Sequence, residues 1–397
     1  MKTWLFILLL LPYGLKSQPG YSRLMLESIE IILYYYDSTS NTRMGFMDSK
    51  GQIVIEPKYI ACSDFKNGIA NVIRPDGTYG IIDKSGREIW YPGYEKVYFK
   101  GDLGIAGKGG KWGFINKKGK VVIPLQFASA MPFNEGYAPV QVGRTWEYID
   151  KKGRILQRNK VRFEGKPIYR DNIVFVEADT IRGKEVLRRG LMDKNGQVLI
   201  PATCENIISL SSGGLCWIVK NRKNGIVNIS GKEIVPFEFD ELNWDAESHL
   251  ISVKKNGLWG CWNDKGEEVI PLTYNKVYFF SEGLAAVEKE GKIGFIDEKN
   301  NVVIPFQFAP FWTYQFKEGL SPFKSDTGKH GFINNKGEIV ILPKYDMALA
   351  FTNGLGYVKL GDHAGFVDKN GIEVVPLDFE DVWGISEGLI RFSVSQK

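Results

Sequence analysis

Hydrophobic and polar positions along this 397-residue chain recur in one short order. Two adjacent apolar or aromatic residues lead into an Asp or Asn, a glycine follows three residues later, and a branched aliphatic residue three further on. "KWGFINKKGKVVIP" from Lys111 is one instance, and "LWGCWNDKGEEVIP" from Leu258 and "KIGFIDEKNNVVIP" from Lys292 are others. Self-similarity on this scale marks a repeat architecture in which each copy is one supersecondary unit. With the glycine of the Trp-Gly pair as slot zero, ten copies begin at Gly45, Gly80, Gly113, Glu147, Gly190, Gly225, Gly260, Gly294, Gly331 and Gly365. They are spaced 33 to 37 residues apart, save for 43 residues between Glu147 and Gly190.

Slot +3 is Asp or Asn in every copy, from Asp48 to Asp368, and slot +6 is glycine in nine copies and Asn300 in the tenth. A short carboxylate or amide bonds the backbone two residues on and starts a turn. Glycine closes that turn where φ is positive, and Asn is the next most tolerated residue there. The pattern therefore predicts a β-hairpin loop. Slots +1 and +2 are apolar, as in Phe114-Ile115, and slot +9 is branched and aliphatic throughout, as in Val122. Apolar residues on both faces predict strands sandwiched between neighbouring copies. A proline at slot +11 or +12, such as Pro124 or Pro376, is expected to end pairing of the second strand. After a bend, a phrase like "LAAV" within 280 to 290 reads as a third strand. The unit is thus a three-stranded antiparallel meander with a connecting bend.

These motifs resemble the WG-repeat (KWG) family, named for the Trp-Gly pair that Trp112-Gly113 and Trp259-Gly260 keep intact. Trp146 keeps the ring without the glycine, and other copies carry Met44, Tyr79, Arg189, Asn224, Ile293, His330 and Ala364 in the Trp slot. The resemblance covers residues 31 to 397. It implies a β-rich array of the kind found on exported or surface proteins of bacteria, and brings no catalytic residues with it.

Repeats of this size stack in a line or close into a ring. "IILYYYD", 31 to 37, reads as a third-type strand ahead of the first copy, and "LIRFSV", 389 to 394, as another after the last. That leaves one strand over, which favours an open, curved β-solenoid with capped ends. The alternative is β-propeller-like closure into one or two rings.

Composition adds compartment and chemistry. Forty-four glycines and 13% aromatic residues fit an all-β chain of tight turns. Residues 1–17 read as a secretory signal, since the apolar run Trp4 to Leu11 is too short for a stable membrane anchor. Residues 18–30 form a short N-terminal segment, and the array occupies 31–397. The mature chain is expected to be secreted, periplasmic or on the cell surface, with no membrane span and no nucleic-acid partner. Between Arg154 and Arg189, ten Lys or Arg face five Asp or Glu, an excess equal to the net charge of +5. That segment, 154–189, marks a subdivision of the array and a candidate contact for an anionic partner, such as a charged polysaccharide or lipid head group.

The three histidines, His249, His330 and His363, occupy repeat positions and read as structural. Cys62, Cys204, Cys216 and Cys261 stand where other copies put apolar groups, which argues for buried free thiols. One carboxylate or amide per copy cannot surround a calcium ion, so no metal and no cofactor is expected. The recurrent Glu135, Glu282, Glu318 and Glu387 precede glycines and read as turn residues rather than a catalytic pair. At slot +18 or +19 stand Tyr98, Trp244, Tyr278, Trp312 and Trp383, where other copies have Ser63, Ile208 and Leu349. These rings are the candidate ligand-binding residues, aligned in a row along the array. The expectation is a non-enzymatic scaffold for a protein or polysaccharide; the alternative is an accessory hydrolytic or glycan-processing enzyme of the cell envelope.

Overall fold

The computed structural model describes residues 41–395, apart from 135, 144, 156–161, 164–171, 182–183, 194–196, 212, 245–248 and 313. The expected signal segment 1–17, residues 18–30 and the strand expected at 31–37 lie outside the described residues. The described residues form nine antiparallel sheets, seven of four strands, one of three and one of seven. Among them no helix is long and apolar enough to cross a membrane. The chain is all-β, as the periodicity predicts.

Copy 3 shows the unit: Lys96–Phe99, Leu103–Lys108, Lys111–Asn116 and Val121–Phe127 pair in order. The expected meander has therefore gained a fourth strand, built from part of the bend. No turn separates copy 3 from copy 4. Val121–Phe127 runs through Ala128 into Ser129–Ala130, the first strand of the following sheet, and the Ala128 N–H donates to Gln141 O at 2.9 Å. One extended segment thus serves two sheets.

The hairpin register is as expected. In copy 1 the Lys50 and Gln52 amides donate to Asp48 Oδ1 at 2.8 and 2.9 Å, and Gly51 has φ +79°. Asn300 takes the same left-handed conformation at φ 66°. Its amide does more than tolerate that φ, because Tyr274, on the fourth strand of the preceding copy, donates its hydroxyl to Asn300 Oδ1 at 2.7 Å.

The proline does not end the strand. In copy 3, Val121 opposes Ile115, Ile123 opposes Phe114, and pairing resumes at Phe127 opposite Trp112. Four residues on one strand face two on the other, and Pro124 sits in that bulge, where a missing N–H costs nothing. The bulge also explains slot zero. A Cβ on Gly113 would lie 2.6 Å from Ile123 O, and at Gly45, Gly260, Gly331 and Gly365 the corresponding distances are 2.3 to 2.4 Å. The bulged backbone folds over this position and leaves room for hydrogen alone. In copy 4, which lacks both proline and glycine, Trp146 pairs with Phe163, two residues further along than elsewhere, and Glu147 is accommodated and buried.

Slots +1 and +2 are sandwiched as expected: Phe46, Met47, Phe114, Ile115, Phe332 and Ile333 are essentially inaccessible. Slot +9 is not. Val54, Ile89, Val122, Val303 and Val340 are 39 to 45% exposed. They lie on the fourth strand, which is a sheet edge in every unit except copy 4, and their side chains are left exposed there.

Copies 4 and 5 share the seven-stranded sheet, through the long hairpin Asn172–Ile181 and Lys184–Asp193. At the termini the pairing differs from two capped, free ends. Thr42–Asp48 of the first copy pairs with Leu389–Ser395 through seven consecutive partners, from Thr42 opposite Ser395 to Asp48 opposite Leu389. Together with Ile53–Tyr59 and Asp381–Ser386 they make one four-stranded sheet from both ends of the chain.

Candidate ligand-binding surface

Two kinds of turn occupy one end of each unit, since the first-to-second and third-to-fourth strand connections of an antiparallel meander emerge on the same side. The first kind is the Glu-Gly turn. Glu282, Glu318 and Glu387 have φ of 50 to 56°, and the glycines after them are left-handed as well. Two successive positive φ values define a type I′ turn, where Asn is the usual first residue and where Asn67 and Asn353 stand in other copies. Glutamate is there for its reach. The Glu318 and Gly319 amides donate to the Glu282 carboxylate at 2.5 and 2.9 Å, and Gly354 N–H donates to Glu318 Oε2 at 3.0 Å. Gly68 N–H donates to Glu387 Oε2 at 3.0 Å, so the last copy holds the first as copies within the chain hold each other. Burial pushes the Glu387 pKa up, but the Gly68 amide and Lys84 outweigh it and hold the group below the usual carboxylate range. Glu135 lies outside the described residues. These carboxylates are turn residues, as expected, and they also bond one copy to the next. Periodicity alone cannot show that, because it does not say which copy a side chain reaches.

The second kind is the Asx hairpin. Its closing glycine lies on the fourth strand of the preceding copy: a Cβ on Gly153 would meet Ile123, one on Gly337 would meet Ile304, and one on Gly371 would meet Ile341. Gly51 of the first copy lies in the same way on Val374 and Val375 of the last.

The five candidate rings do not form a solvent-facing row. Trp244 and Tyr278 are buried, with 6 and 9% exposure, and the Tyr278 hydroxyl donates to Phe311 O at 2.8 Å. Trp244 packs within the core cluster of Phe239, Leu242 and Trp262. Tyr98 is half-buried against the core around Ile105 and Phe127. Trp383 is half-buried beneath the Arg391 guanidinium, 4.6 Å from its ring centre. Only Trp312 stands clear, 53% exposed and tilted against Phe311 at 5.4 Å. The slot varies from Ser to Trp because the bend threads between sheets at different depths, so one register position faces core in some copies and water in others.

Other reactive side chains are absorbed by the framework. His330 is buried against Phe311, with ring centres 4.3 Å apart, and loss of solvent lowers its pKa. All four cysteines are buried and free, and burial pushes the thiols of Cys216 and Cys261 up to about 12. Glu88 accepts from Tyr59 Oη, Trp90 Nε1 and Arg74 at 2.6, 2.8 and 3.1 Å, and pairs with Lys58. Burial alone would raise it; these donors hold it down at about 2. Asp381 is the reverse case, pushed up by burial although Lys359 and the Tyr357 hydroxyl counter the shift. Among the described residues no group of three or more His, Cys, Asp or Glu is placed to hold a metal ion. Within the segment 154–189, residues 156–161, 164–171 and 182–183 lie outside the described residues, and Asn172–Ile181 pairs with Lys184–Asp193 as the long hairpin. At the end of the segment, Arg188 pairs with Glu205 at 3.5 Å, and Arg189 donates to Glu205 O.

Nine stretches of the chain match the WG containing repeat: residues 44–73, 79–112, 112–146, 190–223, 225–259, 259–292, 293–326, 331–362 and 365–397. The chain belongs to the WG-repeat family. The longest interval left unmatched between these stretches, 147–189, begins at the copy that has Glu147 for the slot-zero glycine. No curated protein matches this WG-repeat chain in sequence. Among solved structures it is similar to the crystal structure of the eukaryotic initiation factor, at 12% identity and TM-score 0.45, covering 75% of this chain and 94% of that one. It is also similar to AztD from Citrobacter koseri, at 11% identity and TM-score 0.32, covering 90% and 98%. A third is BamB from Moraxella catarrhalis, at 10% identity and TM-score 0.29, covering 88% and 98%. Likenesses this distant carry no argument about the present chain.

Proposed function

We propose that this WG-repeat protein is an exported, non-enzymatic scaffold, closed like a propeller, that presents its turn-bearing face to a macromolecular partner. One observation carries the closure: contacts between the last copy and the first repeat those between neighbours in the chain. Ser281 Oγ donates to Phe316 O at 2.5 Å, and Ser386 Oγ donates to Phe65 O in the same relation. The Glu387 to Gly68 bond and the seat of Gly51 on Val375 follow the same rule. An open array has no reason to reproduce them at its ends.

The binding role follows from how polar groups are used. Slot +3 side chains and the Glu-Gly carboxylates are engaged by backbone amides, which supports reading them as framework rather than as general acids or bases. Residues that differ between copies, at hairpin tips and in bends, remain for recognition. Trp312 is the candidate ring best placed to meet a protein or polysaccharide surface. Export rests on the N-terminal sequence pattern. A screen of the purified protein against immobilised glycans and envelope proteins tests this reading. Saturable binding that weakens in Trp312→Ala, with no turnover of bound polysaccharide or peptide, is the expected result. Turnover of either would overturn the non-enzymatic assignment.

A further inference from the structure

The hairpins of copies 3 and 4 differ from the rest in what they carry. Residues 116–122 hold Lys117, Lys118 and Lys120 and no acid; residues 150–155 hold Lys151, Lys152 and Arg154 against Asp150 alone. The two hairpins are neighbours, since a Cβ on Gly153 of the second would lie 3.3 Å from the Ile123 side chain beneath the first. Arg154 is tied to Asp150 at 2.7 Å. Lys118, Lys120, Lys151 and Lys152 are exposed, and none has an acidic partner among the described residues. The corresponding slots of copies 7 and 8 carry Asp264, Glu267, Glu268, Asp297 and Glu298 against Lys265 and Lys299. Cationic charge is therefore gathered in one sector of a repeating framework.

The same sector exposes aliphatic surface, as the equivalent strands of copies 1, 8 and 9 do without its excess of lysines. Val121, Val122 and Ile155 are 43, 44 and 46% accessible. Successive side chains of a strand point to opposite faces, so exposure at both Val121 and Val122 means that neither face of the strand is covered there. A soluble polyanion would satisfy the lysines and leave these side chains in water. An anionic bilayer surface matches both, with head groups at the level of the lysines and the acyl boundary within reach of the aliphatic residues.

We propose that the copy 3 and copy 4 hairpins form a docking surface for a membrane bearing anionic lipids. The proposal rests on the binding-scaffold reading and gives that scaffold a membrane-facing sector. Co-sedimentation of the purified protein with phosphatidylcholine vesicles, with and without phosphatidylglycerol, tests it. Binding is expected only with the anionic lipid, and it should fall as salt rises. Lys118→Ala with Lys152→Ala should weaken it about 25-fold, at about fivefold per lysine near the surface. Val122→Ser with Ile155→Ser should weaken vesicle binding while leaving retention on dextran sulfate unchanged. Lys265→Ala with Lys299→Ala, at the same slots in copies 7 and 8, should change nothing. Each variant is first checked for an unchanged melting transition, and Lys118→Gln with Lys152→Gln serves if the alanine pair is unstable. Absence of vesicle binding, equal binding to both vesicle types, or full vesicle binding by the serine pair would overturn the proposal. The last result would make the sector a site for soluble polyanions. None of these failures involves turnover or the Trp312 surface, so they leave the scaffold reading standing and are distinguishable from its own failure.

Discussion

If the first and last copies share a sheet within one molecule, a cross-link between them must be intramolecular. Arg43 stands opposite Val394, and Met44 opposite Ser393. Adjacent pairs in an antiparallel ladder alternate between hydrogen-bonded and closer non-hydrogen-bonded sites, with Cα separations of about 5.5 and 4.5 Å. Both fall within the span a disulfide bridges, roughly 4.4 to 6.8 Å. The variants Arg43→Cys/Val394→Cys and Met44→Cys/Ser393→Cys should therefore oxidise to monomers of altered mobility on a non-reducing gel. The four native cysteines are buried, as is Ser393, whereas Arg43 and Val394 are half-buried, so the Arg43/Val394 pair is the one an oxidant reaches first.

The loop so closed runs from residue 43 to residue 394. For about 350 residues the chain-entropy relation gives a stabilisation on the order of 6 kcal/mol, an upper value from which strain in the native state subtracts. The oxidised variant should melt above its reduced form. A bridge between the ends of an open array could form only between molecules, as disulfide-linked dimers and longer species whose yield rises with protein concentration. If both variants give only such species, or no bridge at all, the closed reading is refuted.

Further outcomes follow from single residues. Denatured, unreduced protein should show about four titratable thiols and the native protein almost none, because burial raises their pKa; two or none after denaturation would reveal a disulfide. Asn300→Gly relieves a left-handed residue but strands the Tyr274 hydroxyl, so urea unfolding should show a net loss of up to about 1 kcal/mol, and Asn300→Val a larger one. Gly113→Ala should cost on the order of 2–4 kcal/mol, because its Cβ meets backbone rather than a movable side chain; an unchanged melting temperature would disprove the bulge argument. Glu88 titrates at about 2 in the folded chain against 4.5 as a free group. Its stabilising share is present above pH 5 and is lost as pH falls toward 2, a loss that Glu88→Gln should no longer show in melting curves. An identical acid slope in both proteins would contradict that assignment.

What could be read in the sequence is what is local. The Asp-x-x-Gly hairpin, the buried pair at slots +1 and +2, and the thiols in apolar slots each depend on residues within one period, and all were legible. The slot-zero glycine was visible as a pattern, but its cause was not, since the Ile123 carbonyl that excludes a side chain at Gly113 belongs to a bulge that propensity does not encode. Exposure at slot +9 was misjudged for a related reason. A branched aliphatic residue in every copy looks like core, yet Val122 sits where the fourth strand runs past its neighbours as an edge. The candidate rings failed as a row because equal register does not mean equal depth. Trp244 and Trp312 share a slot, but one lies in the core and the other in water.

The pairing of the ends was illegible for a deeper reason. Eleven third-type strands against ten hairpins suggested a surplus and so an open array, but counting treats strands as interchangeable. Leu389–Ser395 sits beside Thr42–Asp48 because all its neighbours fit at once: Ile390 and Phe392 enter the core, Glu387 reaches Gly68, and Ser386 reaches Phe65. Each of those contacts is an ordinary repeat contact when taken alone. Their coincidence across more than 300 residues of sequence separation is a property of the accumulated rotation from copy to copy. Small angular steps per repeat decide whether a stack runs on or returns to its start. The places where one copy meets the next, such as Gly153 on Ile123, are where such a step would be set. The proposed ring therefore rests on the contacts between copies, while the motif that identifies the family lies within each one.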